Sequence, residues 1–181
     1  NDVTPVTFAE APAMGIAKEV TAGPTNNGDG TYTLTYAMVL KNTGDISLSN
    51  VQVVDDLAAV FAGTAFTVDA KSTTGTVAIN AAFDGSADKN LLAASQTLAV
   101  GASDTITLTI TVTPGGNIGV FNNTATANGT SPSGASVSDV SDDGSDPESN
   151  NGNAADNDVT PVTFAEAPAM GIAKEVTAGP T

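Results

Sequence analysis

The chain has 181 residues, a formal net charge of −15 and no Cys, His or Trp. Without His or Cys it cannot build a Ser-His-Asp or Cys-His nucleophile, a His/Cys zinc site, a redox dithiol, or a haem or iron–sulfur centre. Its five basic residues, all lysines, face 20 acids, too few to neutralise a run of phosphates, so nucleic acid is excluded as a partner.

Aromatic residues make up 4% and charged residues 14%, so the core must be aliphatic and the polar surface must come from Thr, Ser, Asn and Gly. That balance favours strands and turns. No apolar run approaches the ~20 residues that span a bilayer, so no transmembrane segment is expected. The chain opens on Asn1 without a signal peptide, and is expected to be a piece of a longer precursor or a processed product.

In chain order, Gly15–Thr21 reads as a strand, and Ala22–Gly30 as a dense turn cluster. Thr31–Lys41 alternates strictly, with Tyr32, Leu34, Tyr36, Met38 and Leu40 on one face and Thr31, Thr33 and Thr35 on the other. Asn42–Asp45 turns the chain into a strand over Leu48–Val54. Ala65–Val68 and Thr76–Ile79 are shorter strands, and residues 80–94 are irregular. Gln96–Val100 and Ser103–Thr113 resume the sheet, the second with Ile106, Leu108, Ile110 and Val112 alternating with threonines. Val120–Ala127 and Ala135–Val140 follow. An acidic loop at about 139–158 leads to a last strand, Val159–Phe164. Short alternating strands without a helical stripe predict an all-β, antiparallel β-sandwich.

Residues 1–25 recur letter for letter at 157–181, a shift of 156 positions. Such identity predicts one full period plus 25 residues of a tandem repeat array. Arrays of near-identical acidic modules repel one another, extend and stay soluble.

GIAKEV (residues 15–20), YTLTY (32–36), KNTGD (41–45), SNVQVVDDL (49–57) and NNTATANG (122–129) resemble the bacterial DUF11-type surface repeat. The resemblance spans nearly the whole period and implies an immunoglobulin-like sandwich on an extracellular bacterial surface. It sets a phase: residues 1–13 are the last strand of a preceding repeat plus linker, 14–167 the sandwich, and 168–181 the start of the next repeat. Val3, Pro5, Val6 and Phe8 repeat as Val159, Pro161, Val162 and Phe164, and both copies cannot fill one slot of one sandwich. The short Pro-containing connection over Ala9–Ala13 predicts neighbours at a fairly fixed angle.

Several side-chain groups carry chemistry. Asp84, Ser86, Asp88 and Asn90 place oxygens at every second position, a spacing that wraps a loop round calcium, though without the EF-hand's Gly and Glu. Asp139, Asp142, Asp143 and Asp146 form a denser acidic run, read either as a second calcium site or as a solvated loop. The Asp55-Asp56 pair is assigned to neither. Asn122 and Asn128 head glycosylation acceptor patterns. Lys18 is in phase with Ile16 and Val20, so it points inward or reaches solvent from a sandwich edge. Some pilin-type immunoglobulin-like domains bond a first-strand Lys to a late-strand Asn. That resemblance implies Lys18 with Asn123 or Asn122, but no inward acid is apparent to assist.

The function expected is a non-enzymatic structural module of an extracellular filament, fibre or adhesin stalk, with identical repeats or subunits as partners. The alternatives are pilin-like subunits joined by strand exchange through the duplicated segment, and a carbohydrate- or surface-binding module.

Overall fold

The computed structural model describes residues 3–6, 8–148 and 157–179. Eleven strands and one helical turn succeed one another: β1 (Met14–Asn26), β2 (Tyr32–Asn42), β3 (Leu48–Asp55), α1 (Leu57–Val60), β4 (Ala65–Thr73), β5 (Gln96–Leu98), β6 (Ser103–Thr113), β7 (Val120–Asn123), β8 (Ala125–Thr130), β9 (Ser136–Val140), β10 (Asp142–Asp143) and β11 (Thr160–Thr163). One sheet has the order β10-β1-β2-β6-β4, the other β5-β3-β8-β9, and β11 pairs with β7 as a two-stranded sheet. All pairings are antiparallel except β1 with β10. The architecture is the expected all-β, immunoglobulin-like sandwich. Among the described residues no helix is long and apolar enough to cross a membrane.

The alternation of β2 and β6 explains why they lie at the centre. Leu34 pairs with Ile110 and Tyr36 with Leu108, and all four side chains are buried between the sheets. On the outer face Thr33 bonds Thr111 and Thr35 bonds Thr109, both at 3.0 Å. Such cross-strand pairs contribute roughly 0.2–1 kcal/mol each. The second sheet supplies Leu48, Val51, Val53, Ala125 and Ala127 to the same core.

Several segments differ from the sequence expectation: β4 runs on to Thr73, and the expected strand Val120–Ala127 divides into β7 and β8. β1 continues through the turn cluster to Asn26, because register shifts near Ala22 and Thr25 absorb Gly23 and Pro24 while pairing with β2 persists. Thr76–Ile79 is no strand: only Ile79 bridges, to Leu92, while the Val77 amide is taken by the Asp104 carboxylate. Inside the acidic stretch, β10 adds itself to the edge of β1. The chain then crosses β1 where Gly15 has no side chain; a Cβ there would overlap the Pro147 carbonyl.

The two copies of the duplicated segment are placed differently, and only the second contains a strand among the described residues. Val162 and Phe164 are each 2% exposed, with the Phe164 ring packed at a tilt or edge-on against Tyr32, Phe121 and Phe61. Val3 and Phe8 are 83% and 92% exposed.

A candidate cross-linking site between the sheets

Lys18 and Asp55 come from opposite sheets. In β1, Ile16 and Lys18 share the inward face. In β3, Val51, Val53 and Asp55 are all buried by the same two-residue alternation. The two charges meet with Nζ 2.6 Å from Oδ2, and both side chains are wholly buried. The Tyr36 ring lies beneath the amine, its centroid 4.5 Å from Nζ.

Asn123 closes the group. In β7, Phe121 and Asn123 face inward while Val120 and Asn122 face out. Asn123 pairs with Thr160 of β11, and the Thr160 hydroxyl donates to the Lys18 carbonyl at 2.8 Å. That carbonyl also accepts from Gly144 N–H at 2.9 Å. β10 and β11 therefore cover the backbone of β1 at the position of Lys18.

The polar inventory does not close. Asp55 Oδ1, the Tyr36 hydroxyl and both side-chain polar atoms of Asn123 are buried without a hydrogen-bond partner. An unsatisfied buried polar group costs about 1–3 kcal/mol, and native interiors hold few of them. Here four such atoms lie on Asp55, Tyr36 and Asn123, and the first two of these residues touch the Lys18 amine. Burial lowers the Lys18 pKa from its ordinary value, opposed by the Asp55 charge. Burial also raises the Tyr36 phenol, with the neighbouring Asn123 amide pulling the other way. The site thus brings together an amine, a carboxylate and, against the same Tyr36, a carboxamide. These are the reactants of an amide exchange.

Sequence reasoning put Lys18 in phase with the inward face but left open whether it reaches solvent, named Asn123 beside Asn122, and missed Asp55 and Tyr36. The signal for Asp55 was available in its phase with Val51 and Val53. The doublet divides by that phase. Asp56 points out, caps α1 through the Ala59 amide at 3.1 Å, and pairs with Lys89 at 2.6 Å.

The other candidates lie elsewhere. The Asp84 carboxylate accepts from the amides of Ser86 (2.8 Å) and Asp88 (3.0 Å). Asp88 accepts from the Asn80 side chain (2.8 Å) and the Asn90 amide (3.0 Å). These bonds, the Asp88 amide first for Asp84 and the Asn80 side chain first for Asp88, hold both carboxyls below their ordinary pKa. They are the Asx bonds of a turn. In the acidic run, Asp139 accepts the Ile16 amide at 2.8 Å, Asp146 the Glu148 amide at 2.9 Å, and Asp142 and Asp143 form β10. Among the described residues no group of three or more acids is close enough to share a metal ion. Asn122 is exposed opposite Pro161, and Asn128 is half-buried in β8 between β3 and β9.

No protein-family model and no curated protein matches the chain, so the DUF11 likeness remains a resemblance of motifs. Among solved structures, the chain is similar to the full-length major pilin SpaD from Corynebacterium diphtheriae. The TM-score is 0.50 at 18% identity, covering 71% of this chain and 33% of the pilin. The likeness is one of fold, an all-β sandwich of the kind that pilin contains.

Proposed function

We propose that this sequence is a structural module of an extracellular bacterial filament or adhesin stalk, joined end to end with identical copies, and closed internally by an amide bond between Lys18 and Asn123. The observation that carries this reading is the buried Lys18–Asp55 pair beside an Asn123 carboxamide with no partner.

The chemistry balances within the site. Lys18 Nζ attacks Cγ of Asn123, the Nζ–Cγ bond forms, the Cγ–Nδ2 bond breaks and ammonia leaves. Of the three ammonium hydrogens, one passes to Asp55, one to the departing nitrogen, and one stays on the new amide. Asp55 ends as a neutral acid. Removing two buried charges relieves a desolvation cost of several kcal/mol per ion. The bond also closes a loop of about 100 residues, which in the chain-entropy picture is about 4.7 kcal/mol of stability. A fibre module under tension gains from that closure; a small-molecule enzyme would not. The letter-for-letter repeat supports end-to-end assembly, and the fold likeness to a pilin is compatible with it.

The test is an intact mass. The folded chain should weigh less than its sequence by one ammonia, and digestion should yield one branched peptide joining Lys18 to Asn123. A full sequence mass after long incubation overturns the cross-link. The number of periods in the native denatured polypeptide tests the array separately. A native chain of one period favours the second reading, separate subunits joined by strand exchange. The exposed Val3, Val6 and Phe8, copies of side chains 159, 162 and 164, are its specific support.

A further inference from the structure

Each end of the sandwich holds the chain that runs through it. At the end where β1 starts, Ala11 N–H donates to Asp45 at 2.7 Å, and the amides of Thr43 and Gly44 donate to the Ala13 carbonyl at 3.2 and 3.1 Å. Glu10 is held as well: its carboxylate accepts from the Ser131 hydroxyl at 2.7 Å and the Ser133 amide at 3.3 Å. At the opposite end, Phe164 is buried and the Tyr32 hydroxyl donates to the Ala165 carbonyl at 2.8 Å.

The repeat makes these two sets of contacts adjacent. Ala165 is the copy of Ala9, and Glu166 the copy of Glu10. The last residue held by one module and the first held by the next are therefore consecutive. After Ala165, this chain runs on with Met170 100% and Ile172 97% exposed, whereas their copies Met14 and Ile16 are 4% and 0% exposed inside a sandwich. That segment is built to enter another copy of the same fold.

We infer that successive modules meet in a joint without slack, the Asn27–Tyr32 and Pro114–Asn117 loops of one facing the Asn42–Asp45 and Ser131–Gly134 loops of the next, so that the filament is stiff at every junction. The partner is a second copy of this repeat. Glu166, Ala167 and Pro168 already lie in a cleft with Asn26, Gly30 and Tyr32. In an array, the Ser131–Ser133 and Asp45 contacts of the following module grip Glu166 and Ala167 from the other side, and its Thr43 and Gly44 amides grip Ala169. This inference rests on the tandem reading and adds the contacts that fix the joint.

The experiment uses a chain of two periods, residues 1–156 followed by 1–181. The sequence has no cysteine, so Ala87→Cys in each module gives one spin label per module on an exposed loop. A narrow inter-label distance distribution is expected. Insertion of Gly-Ser-Gly-Ser between Ala165 and Glu166 adds up to about 14 Å of slack and should broaden it severalfold. Glu10→Gln with Asp45→Ala in the second module should broaden it less, while Tm stays close to the parent value. A parent distribution as broad as that of the insertion chain overturns the joint. Failure of the array reading registers elsewhere, as a native polypeptide one period long.

Discussion

The amine of Lys18 lies 2.6 Å from the carboxylate of Asp55, across the gap between two sheets, with neither side chain reaching solvent. An ion pair so buried is weak evidence for stability, because desolvation offsets the attraction. Near it the side-chain polar atoms of Asn123 are buried without a hydrogen-bond partner, and the cross-link proposed above would give the pair a chemical role. Asp55→Asn keeps the shape of the side chain but removes the proton carrier. The expected outcome is a chain that folds, retains the full sequence mass, and melts well below the parent. Loss of the cross-link accounts for about 4.7 kcal/mol in the chain-entropy picture. Asp55→Asn with normal ammonia loss would show that another group moves the proton.

β11 should be required before the bond forms. Thr160 of this strand caps the Lys18 carbonyl and pairs with Asn123, while Val162 and Phe164 seal the adjacent core. A chain ending at residue 148 should leave Asn123 open to water, so its mass should stay unshifted. Adding a peptide of residues 157–167 in trans should restore the loss of ammonia. Phe164→Ala in the full chain should slow it, and should cost about 3–5 kcal/mol as a large buried truncation. Rapid cross-linking in the truncated chain would remove β11 from the mechanism.

Much of this was legible in the sequence, and the reasons are physical. β6 is read correctly from end to end and β2 to within one residue at each end, because each has one face in the core and one in water, so alternation fixes both strand and face. The same rule put Lys18 in phase with Ile16 but could not say whether its long side chain stays inside or reaches solvent. β10 was not legible: two aspartates carry no alternation, and their strand exists only because the edge of β1 offers unpaired backbone groups. Thr76–Ile79 looked like a strand by composition, yet Asp104 takes the Val77 amide and the segment has no ladder to join. Asn122 and Asn123 could not be separated by type, only by phase with Phe121.

Asp139 gives the fold a component that weakens toward neutral pH. Burial raises its pKa, the nearby Asp142 adds to the rise, and the bond from the Ile16 amide opposes it. For an acid whose folded pKa lies above the unfolded one, the native state binds the extra proton. Stability from this group is therefore fully present below the unfolded pKa and declines as pH rises through the folded pKa. Asp139→Asn keeps an acceptor for Ile16 without the charge. The variant should match the parent in acid, and equal or exceed it at neutral pH. Denaturant midpoints measured across that window check the sign; a variant that is less stable at neutral pH than in acid, relative to the parent, reverses it.

Pulling on the two ends of the chain tests the proposed cross-link directly. Tension arrives through β1, reaches Lys18, and with the amide in place crosses to Asn123 without loading the polypeptide between them. Only the chain from β8 to β11 can then extend. At about 3.4 Å per residue, roughly 40 residues lengthen by about 140 Å, whereas roughly 150 residues freed in Asn123→Ala would lengthen by about 500 Å. The shorter event should occur at the pairing of β11 with β7, which spans four residues on each strand. Single-molecule extension of a two-period chain distinguishes the two lengths without any assumption about stability. A parent that extends as far as Asn123→Ala has no covalent path between the sheets. A parent that extends only from β8 onward is a fibre element in which most of the fold never bears load.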